Sequence, residues 1–115
     1  MKTTKKLTRV DNKNLFKLEI NNETGHYTAF LSYGYWPVLV YDHNTKVCVV
    51  NREYFSVTTN RHTRTAAELL GYPVTQECNT ADLMRYRFPF LNEYVHNYRG
   101  RAFEDFYNKY PLCSR

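Results

Sequence analysis

The amino-acid sequence predicts an α+β fold, in which an N-terminal antiparallel sheet with a β-hairpin at about residues 38–50 packs against three to four C-terminal helices. Runs of β-branched and aromatic residues fill the first half of the chain, and apolar residues at helical spacing fill the second. Segregated elements of this kind are typical of an antiparallel sheet that is covered on one face by helices. The 115 residues are expected to form a single domain, in which residues 1–6 are a flexible basic arm.

Three segments of the first half have strand character. Residues 15–20 fit a strand or a short amphipathic turn, and residues 26–32 alternate in a way that predicts one buried face. The hairpin has the clearest signal, because the apolar runs 38–41 and 46–50 flank a turn, residues 42–45, that contains Asp and Asn.

The second half is predicted to be helical. Thr58 or Thr59 can cap a first helix, whose apolar stripe ends at Gly71. A second short helix is expected to start near Thr80 and to end before Pro89, because a residue that precedes proline avoids the helical region. Apolar residues at helical spacing indicate two further helical stretches, residues 90–98 and 103–110.

The composition favours an acidic partner. The formal charge is +5 and the pI is about 9.2, a balance that suits nucleic acid, an acidic protein surface or an anionic membrane. No apolar stretch follows the basic N-terminus as in a signal peptide, and no apolar run approaches the ~18 residues of a membrane span. The sequence therefore predicts a soluble protein of the cytoplasm with no membrane partner. Cys48, inside an apolar run, is expected to be a small buried hydrophobe.

One stretch of the chain resembles a known family. Ser32-Tyr33, Pro37-Val38, the apolar hairpin, Asn51 and the segment 56–62 match the pattern of a small domain of unknown function that occurs mostly in bacteriophage proteins. That pattern runs Ser-Tyr-x-x-Pro, a hairpin, then Ser-x-Thr-Thr-x-x-His; in this chain three residues rather than two separate Tyr33 from Pro37. The likeness covers residues 32–62 and implies a phage-encoded protein that acts in the host cytoplasm. It implies no reaction, because the family has none assigned.

The first candidate binding site is the segment 58–64 at the expected helix start. Hydroxyl groups, helix-start amides and two arginines lie together there, and a helix N-terminus attracts anions. The structural alternative is that Thr59 only caps the helix while His62 packs on, or hydrogen-bonds to, the sheet. The candidate anion-binding residues are Thr59, Arg61, His62 and Arg64.

The second candidate site consists of two arginine pairs interleaved with tyrosine. Single-stranded nucleic acid is bound by this combination, because the charges contact phosphates and the rings stack on bases. The alternative is that the arginines satisfy carbonyl groups at helix C-termini. The candidate residues are Arg85, Tyr86, Arg87, Tyr98, Arg99 and Arg101.

Signals for catalysis are weak. Ser56 has no Gly-x-Ser-x-Gly context, and His62 and His96 have no nucleophile or carboxylate at a recognisable spacing. The cysteines and histidines are too scattered to predict a metal site, and no glycine-rich phosphate loop is present. We therefore expect no enzyme activity, no metal and no cofactor.

Two functions are consistent with these patterns. The first is a phage-encoded, basic, non-catalytic accessory protein that binds nucleic acid. The alternative is an inhibitor or adaptor that binds a host protein or an anti-phage defence complex, because tyrosine and arginine are favoured at protein interfaces. A hairpin with an unpaired edge also allows a homodimer.

Overall fold

Five consecutive strands form an antiparallel meander, and a sixth strand joins it after the first helix. The computed structural model describes residues 4–10, 14–33, 36–53 and 57–91. The strands are β1 (Thr4–Arg9), β2 (Leu15–Asn22), β3 (Gly25–Ser32), β4 (Trp36–Asp42), β5 (Val47–Asn51) and β6 (Gln76–Cys78). The helical elements are α1 (Val57–Leu70) and a π-helical segment (Asp82–Arg87). The strands lie side by side in sequence order.

Two side-chain oxygens organise the tight turns of the meander. Asn22 Oδ1 accepts hydrogen bonds from the backbone N–H groups of Thr24 (2.9 Å) and Gly25 (3.1 Å) between β2 and β3. Asp42 Oδ1 accepts one from the N–H of Asn44 (2.9 Å) between β4 and β5. Such side-chain bonds to the backbone two or three residues on are the reason that Asn and Asp favour turns. The β4–β5 pair is the hairpin that the sequence predicts.

The sheet has a buried core on each face. One face carries Leu18, Ile20, Tyr27, Ala29 and Leu31, and the other carries Leu15, Phe30, Leu39, Tyr41 and Cys48. β3 is therefore buried on both faces, and the expectation of one buried face for residues 26–32 is corrected. Cys48 is fully buried, as its apolar neighbours predict.

Each core is closed by a different part of the chain. Ala66 of α1 packs in the cluster that contains Phe30 and Cys48. Leu83, Phe88 and Leu91 pack in the opposite cluster. The described helical elements therefore lie on opposite faces of the sheet.

The predicted architecture is wrong in how it divides strands from helices. The sheet is mixed rather than antiparallel, because β6 follows α1 in sequence and pairs in parallel with β5. It is not packed against three to four C-terminal helices: in the parts described, α1 and the short helical stretch around residues 80–91 cover it from opposite sides. The sequence does not predict β6, because residues 76–78, Gln-Glu-Cys, lack the alternation of apolar and polar residues that is typical of a strand.

Other expected boundaries also shift. Residues 4–6, which the sequence places in a loose arm, begin β1 and pair with β2. α1 starts at Val57, so Thr59 lies inside the helix rather than at its cap. The predicted helix at residues 103–110 and most of the one at 90–98 lie outside the described residues.

Two glycines with positive φ allow a matched test of the turn geometry. Gly25 has φ +146°, and a Cβ built there would collide with the amide of Asn44; Gly71 has φ +76° and open space around it. We expect Gly71→Ala to lower the free energy of unfolding by about 1 kcal/mol, the backbone cost alone. Gly25→Ala should cost about 2–3 kcal/mol, because residues other than glycine rarely adopt φ +146° and the exposed Asn44 side chain would also have to move. Urea denaturation measures both, and equal losses would contradict the larger cost at Gly25.

Candidate functional site

Helix α1 covers only the middle of its sheet face. It packs on β3 and β4, and a helix about 10 Å across spans roughly two strands that are about 4.8 Å apart. A hollow is therefore left on each side of the helix. We call the hollow towards β5 the basic groove, which is lined by Val50, Asn51, Arg52, Asn60, Thr63, Arg64, Ala67 and Val74. We call the hollow towards β1 and β2 the aromatic cavity, whose lining includes Lys17, Glu19, Thr28, Phe30, His43, Leu69 and Tyr72.

A buried polar cluster fixes α1 between the two hollows. Ser32 Oγ lies 2.7 Å from His62 Nδ1 and 3.0 Å from Thr59 Oγ1. All three residues are buried, and Ser32 is completely so. A hydroxyl can donate once and accept twice, so Ser32 can bond both partners together. The cluster joins the end of β3 to one face of the helix, and the ring of Tyr33 contacts His62 edge-on.

This cluster contains the hydroxyl and imidazole groups of a nucleophilic pair, but a substrate has no access to them. A serine hydroxyl beside an imidazole is the arrangement that activates a nucleophile. Ser32 has no exposed surface, so a substrate cannot reach its oxygen. Thr59 and His62, which the sequence places in an anion site, thus lie in the interior, where His62 hydrogen-bonds to the sheet. Their contribution is to hold α1 in place.

Asn51 makes a second buried connection beside the groove. Its Nδ2 donates to the carbonyl of Pro37 and to Thr80 Oγ1, each at 2.8 Å. Its Oδ1 accepts from the N–H of Glu53 at 2.9 Å. Asn51 therefore links β4 and β5 to the start of the segment that covers the opposite face. Sequence reasoning included Asn51 and Ser32 only as members of a family pattern and gave them no role.

The basic groove brings one predicted cation, Arg64, together with an arginine that was not predicted, Arg52. It encloses about 470 Å³, and Arg52 and Arg64 are the charged residues among those that line it. Both arginines are exposed, and Arg52 also forms a surface ion pair with Glu77 of β6. Asn60 and Thr63 add hydrogen-bonding groups along α1. Sequence reasoning missed Arg52 because nothing local shows that the edge of β5 faces α1.

The remaining predicted residues do not join this groove. Arg61 is exposed on α1 but is not among the residues that line it. Tyr86, 79% exposed, and Arg87, which hydrogen-bonds to Gln76, belong to the π-helical segment, whose Leu83 packs on the opposite face. Arg85 lies in the same segment. Three predicted residues lie outside the described part of the chain: Tyr98, Arg99 and Arg101.

The aromatic cavity is flanked by stacked rings. His43 stacks on His26 (centroids 4.0 Å apart, 6° between planes) and meets Tyr41 edge-on; Tyr41 in turn stacks on Tyr72 (4.5 Å, 3°). His43 Nε2 lies 2.7 Å from Thr28 Oγ1. Burial, and then the neighbouring His26, lowers the pKa of His43 below its usual 6.5, against the opposing effects of Glu19 and Asp42. The ring is therefore neutral at pH 7.

The other chemical possibilities find little support in the described residues. No group of three or more His, Cys, Asp or Glu side chains there is arranged to hold a metal ion. Burial raises the pKa of the Cys48 and Cys78 thiols, which disfavours the nucleophilic thiolate. None of the helices described has the length and apolar character to cross a membrane.

The Ser32 cluster predicts a local stability effect. Ser32→Ala removes one hydrogen-bond partner from each of two buried groups, Thr59 and His62, and should lower the free energy of unfolding by about 1–3 kcal/mol. Thr58→Ala, on an exposed helix position, is the control and should change it by less than about 0.5 kcal/mol. Chemical denaturation measures both, and a neutral Ser32→Ala would contradict the anchoring role.

The lowered pKa of His43 predicts acid sensitivity. The unfolded chain binds this proton near the usual pKa, whereas the folded chain binds it only at lower pH, so stability should fall as the pH drops below about 6.5. His43→Gln should lose this part of the pH dependence while keeping a partner for Thr28. His26→Gln, which removes the neighbour that is the second cause of the lowered pKa of His43, should reduce it by less. Denaturation curves between about pH 8 and pH 5 provide the measurement, and an unchanged slope in His43→Gln would refute the assignment.

No protein-family model, curated protein or solved structure matches this chain. The resemblance of residues 32–62 to a phage domain family therefore stays a prediction.

Proposed function

We propose that the protein is a small, non-catalytic, basic accessory protein that binds single-stranded nucleic acid in the basic groove. The observation that carries the proposal is the groove itself. Two exposed arginines, Arg52 and Arg64, face an open hollow between α1 and β5, and no carboxylate belongs to the residues described as lining it. The phage origin and the action in a host cytoplasm that the resemblance implies belong to the same proposal.

The groups in the groove suit a sugar–phosphate backbone. A guanidinium can donate two parallel hydrogen bonds to phosphate oxygens, and the Asn60 amide can add a neutral one. The Thr63 hydroxyl, which donates to the Thr59 carbonyl, can accept a hydrogen bond from a sugar hydroxyl. The net charge of +5 assists the approach of a polyanion. Arg52 can exchange Glu77 for a phosphate at small cost, because that ion pair lies on the surface.

An exposed aromatic ring that can stack on bases belongs to the segment on the opposite face of the sheet from the groove, next to the edge strand β6. Tyr86 is 79% exposed, and the neighbouring Arg87 contacts Gln76 of β6, the edge strand next to β5. Exposed aromatic rings bind bases without sequence preference. A single-stranded nucleic acid that leaves the groove across β6 would pass the segment that carries Tyr86. A ligand on this path would contact Arg64 on one face of the sheet and the predicted residues Tyr86 and Arg87 on the other.

A second candidate function is binding to a host protein or an anti-phage defence complex, as an inhibitor or adaptor. Its support is a set of large apolar side chains that are about half exposed near the end of α1: Leu69, Tyr72 and Val74. Exposed apolar surface of this kind is used in protein interfaces. Nuclease treatment separates the two functions, because a partner that remains bound without nucleic acid is a protein.

Removal of one groove arginine tests the first proposal. Arg64→Gln should weaken binding of a short single-stranded oligonucleotide about three- to tenfold and reduce the slope of log affinity against log salt by about 0.7. Fluorescence anisotropy over a range of salt concentrations measures both quantities.

Arg61→Gln is the matched control. It removes the same charge from the same exposed helix but outside the groove lining, so the loss should be smaller. Equal losses of affinity in the two variants would show that the nucleic acid contacts the outer face of α1 rather than the groove. An oligonucleotide that does not bind wild-type protein at low salt would overturn the proposal.

A further inference from the structure

The aromatic cavity combines an apolar floor, a stacking ring and converging polar groups. It encloses about 410 Å³, within the range of about 300–1,000 Å³ that is usual for small-molecule sites. Phe30 of β3, which is almost fully buried, forms part of its floor. Leu69, at the end of α1, forms a wall and is half exposed. These features make the cavity a site of its own, on the flank of α1 away from the basic groove.

Tyr72 offers a held aromatic surface at this cavity. One side of its ring stacks on Tyr41, which is buried, so the position of the ring is fixed. The residue is nevertheless 52% exposed and lines the cavity, so the other side of the ring is open. A planar heterocycle on that side would extend the existing stack of Tyr41 and Tyr72, and base–aromatic stacking is a common source of binding energy.

The polar groups of the cavity divide into two kinds. Thr28, in contact with the neutral His43, and Glu19 lie close together, because Glu19 pairs with Thr28 across β2 and β3. They can bond the amino and hydroxyl groups of a nucleoside. Lys17 and Arg9, also in the lining, supply positive charge. Lys17 and Glu19 are 4.0 Å apart and partly exposed, so a ligand anion can attract the Lys17 ammonium at small cost.

We propose that the aromatic cavity binds one nucleoside monophosphate unit, with its base stacked on Tyr72, its polar edge at Glu19 and Thr28, and its phosphate at Lys17. A base and an anionic phosphate match the two halves of this lining, whereas a purely apolar ligand would leave the Lys17 and Glu19 charges desolvated. The unit is either a free nucleotide or one nucleotide of a strand. The site is separate from the basic groove and does not depend on it.

Titration with four probes tests the site. Adenosine monophosphate, uridine monophosphate, adenosine and inorganic phosphate are titrated into the full chain and followed by calorimetry and by amide NMR shifts. We expect saturable binding of at least one monophosphate, weaker binding of adenosine and none of phosphate alone. A four-nucleotide oligoadenylate that competes more strongly than the free monophosphate would identify a strand as the source. If neither monophosphate saturates, the proposal is overturned.

Paired variants locate the site. Tyr72→Ala should weaken monophosphate binding at least tenfold, because base stacking is lost, while Tyr72→Phe should stay within about twofold of wild type. Lys17→Gln should weaken the monophosphate but leave adenosine unchanged. Both positions are partly exposed, and circular dichroism confirms that the variants fold. If Tyr72→Ala and Lys17→Gln both bind as wild type does, the cavity is not the site.

The variants also separate this proposal from the basic groove. Arg64→Gln should leave monophosphate binding unchanged, since Arg64 does not line the aromatic cavity. Lys17→Gln should leave the salt slope of oligonucleotide binding unchanged if the groove alone holds the strand. If the groove proposal is wrong, Arg64→Gln will bind the oligonucleotide as wild type does. If the cavity proposal is wrong, Tyr72→Ala will bind the monophosphate as wild type does.

Discussion

The contact between Ser32 and the side chains of Thr59 and His62 is the polar link on which the position of α1 over its face of the sheet depends. A buried polar group must find a partner, since leaving it without one costs more than the net gain of an ordinary hydrogen bond. Apolar packing around Ala66 also holds α1 on the sheet. The hydroxyl–imidazole cluster adds directional contacts of 2.7 Å and 3.0 Å, which a shift of α1 along the strands would break. Both hollows beside the helix follow from it.

A single helix on a wide sheet explains why the surface has two separate sites. α1 is narrower than the sheet that it covers, so it divides the uncovered surface into two. The β5 flank receives Arg52 and Arg64, while the β1–β2 flank receives the aromatic rings and the Lys17–Glu19 pair. The chain thus places the two groove arginines and the stacked rings on different sides of one helix. A ligand that uses both sides has to cross the helix or the end of the sheet.

The sequence predicts local features of this structure well and the long-range ones poorly. The Asp42 turn and the runs on either side of it define the β4–β5 hairpin, because the relevant contacts are between neighbours in the chain. β6 is not predictable in this way: residues 76–78 are a strand only because β5 offers them an edge. The candidate anion site shows the same limit. Helical spacing places Arg61 and His62 on one segment, but only the packed sheet shows that one is exposed and the other buried.

The order of the strands also determines how the protein can form as it is made. Strands β1 to β5 are each paired with the next one along the chain, so their contacts need only short loops and close early. The parallel β5–β6 pair encloses all of α1, and it carries the larger entropic cost of loop closure. A ribosome therefore releases a nearly complete sheet before the helix and the last strand are available. During that interval both faces of the meander are open to water or to a chaperone, the face with Phe30 and Leu39 until α1 forms and the other until residues 83–91 follow.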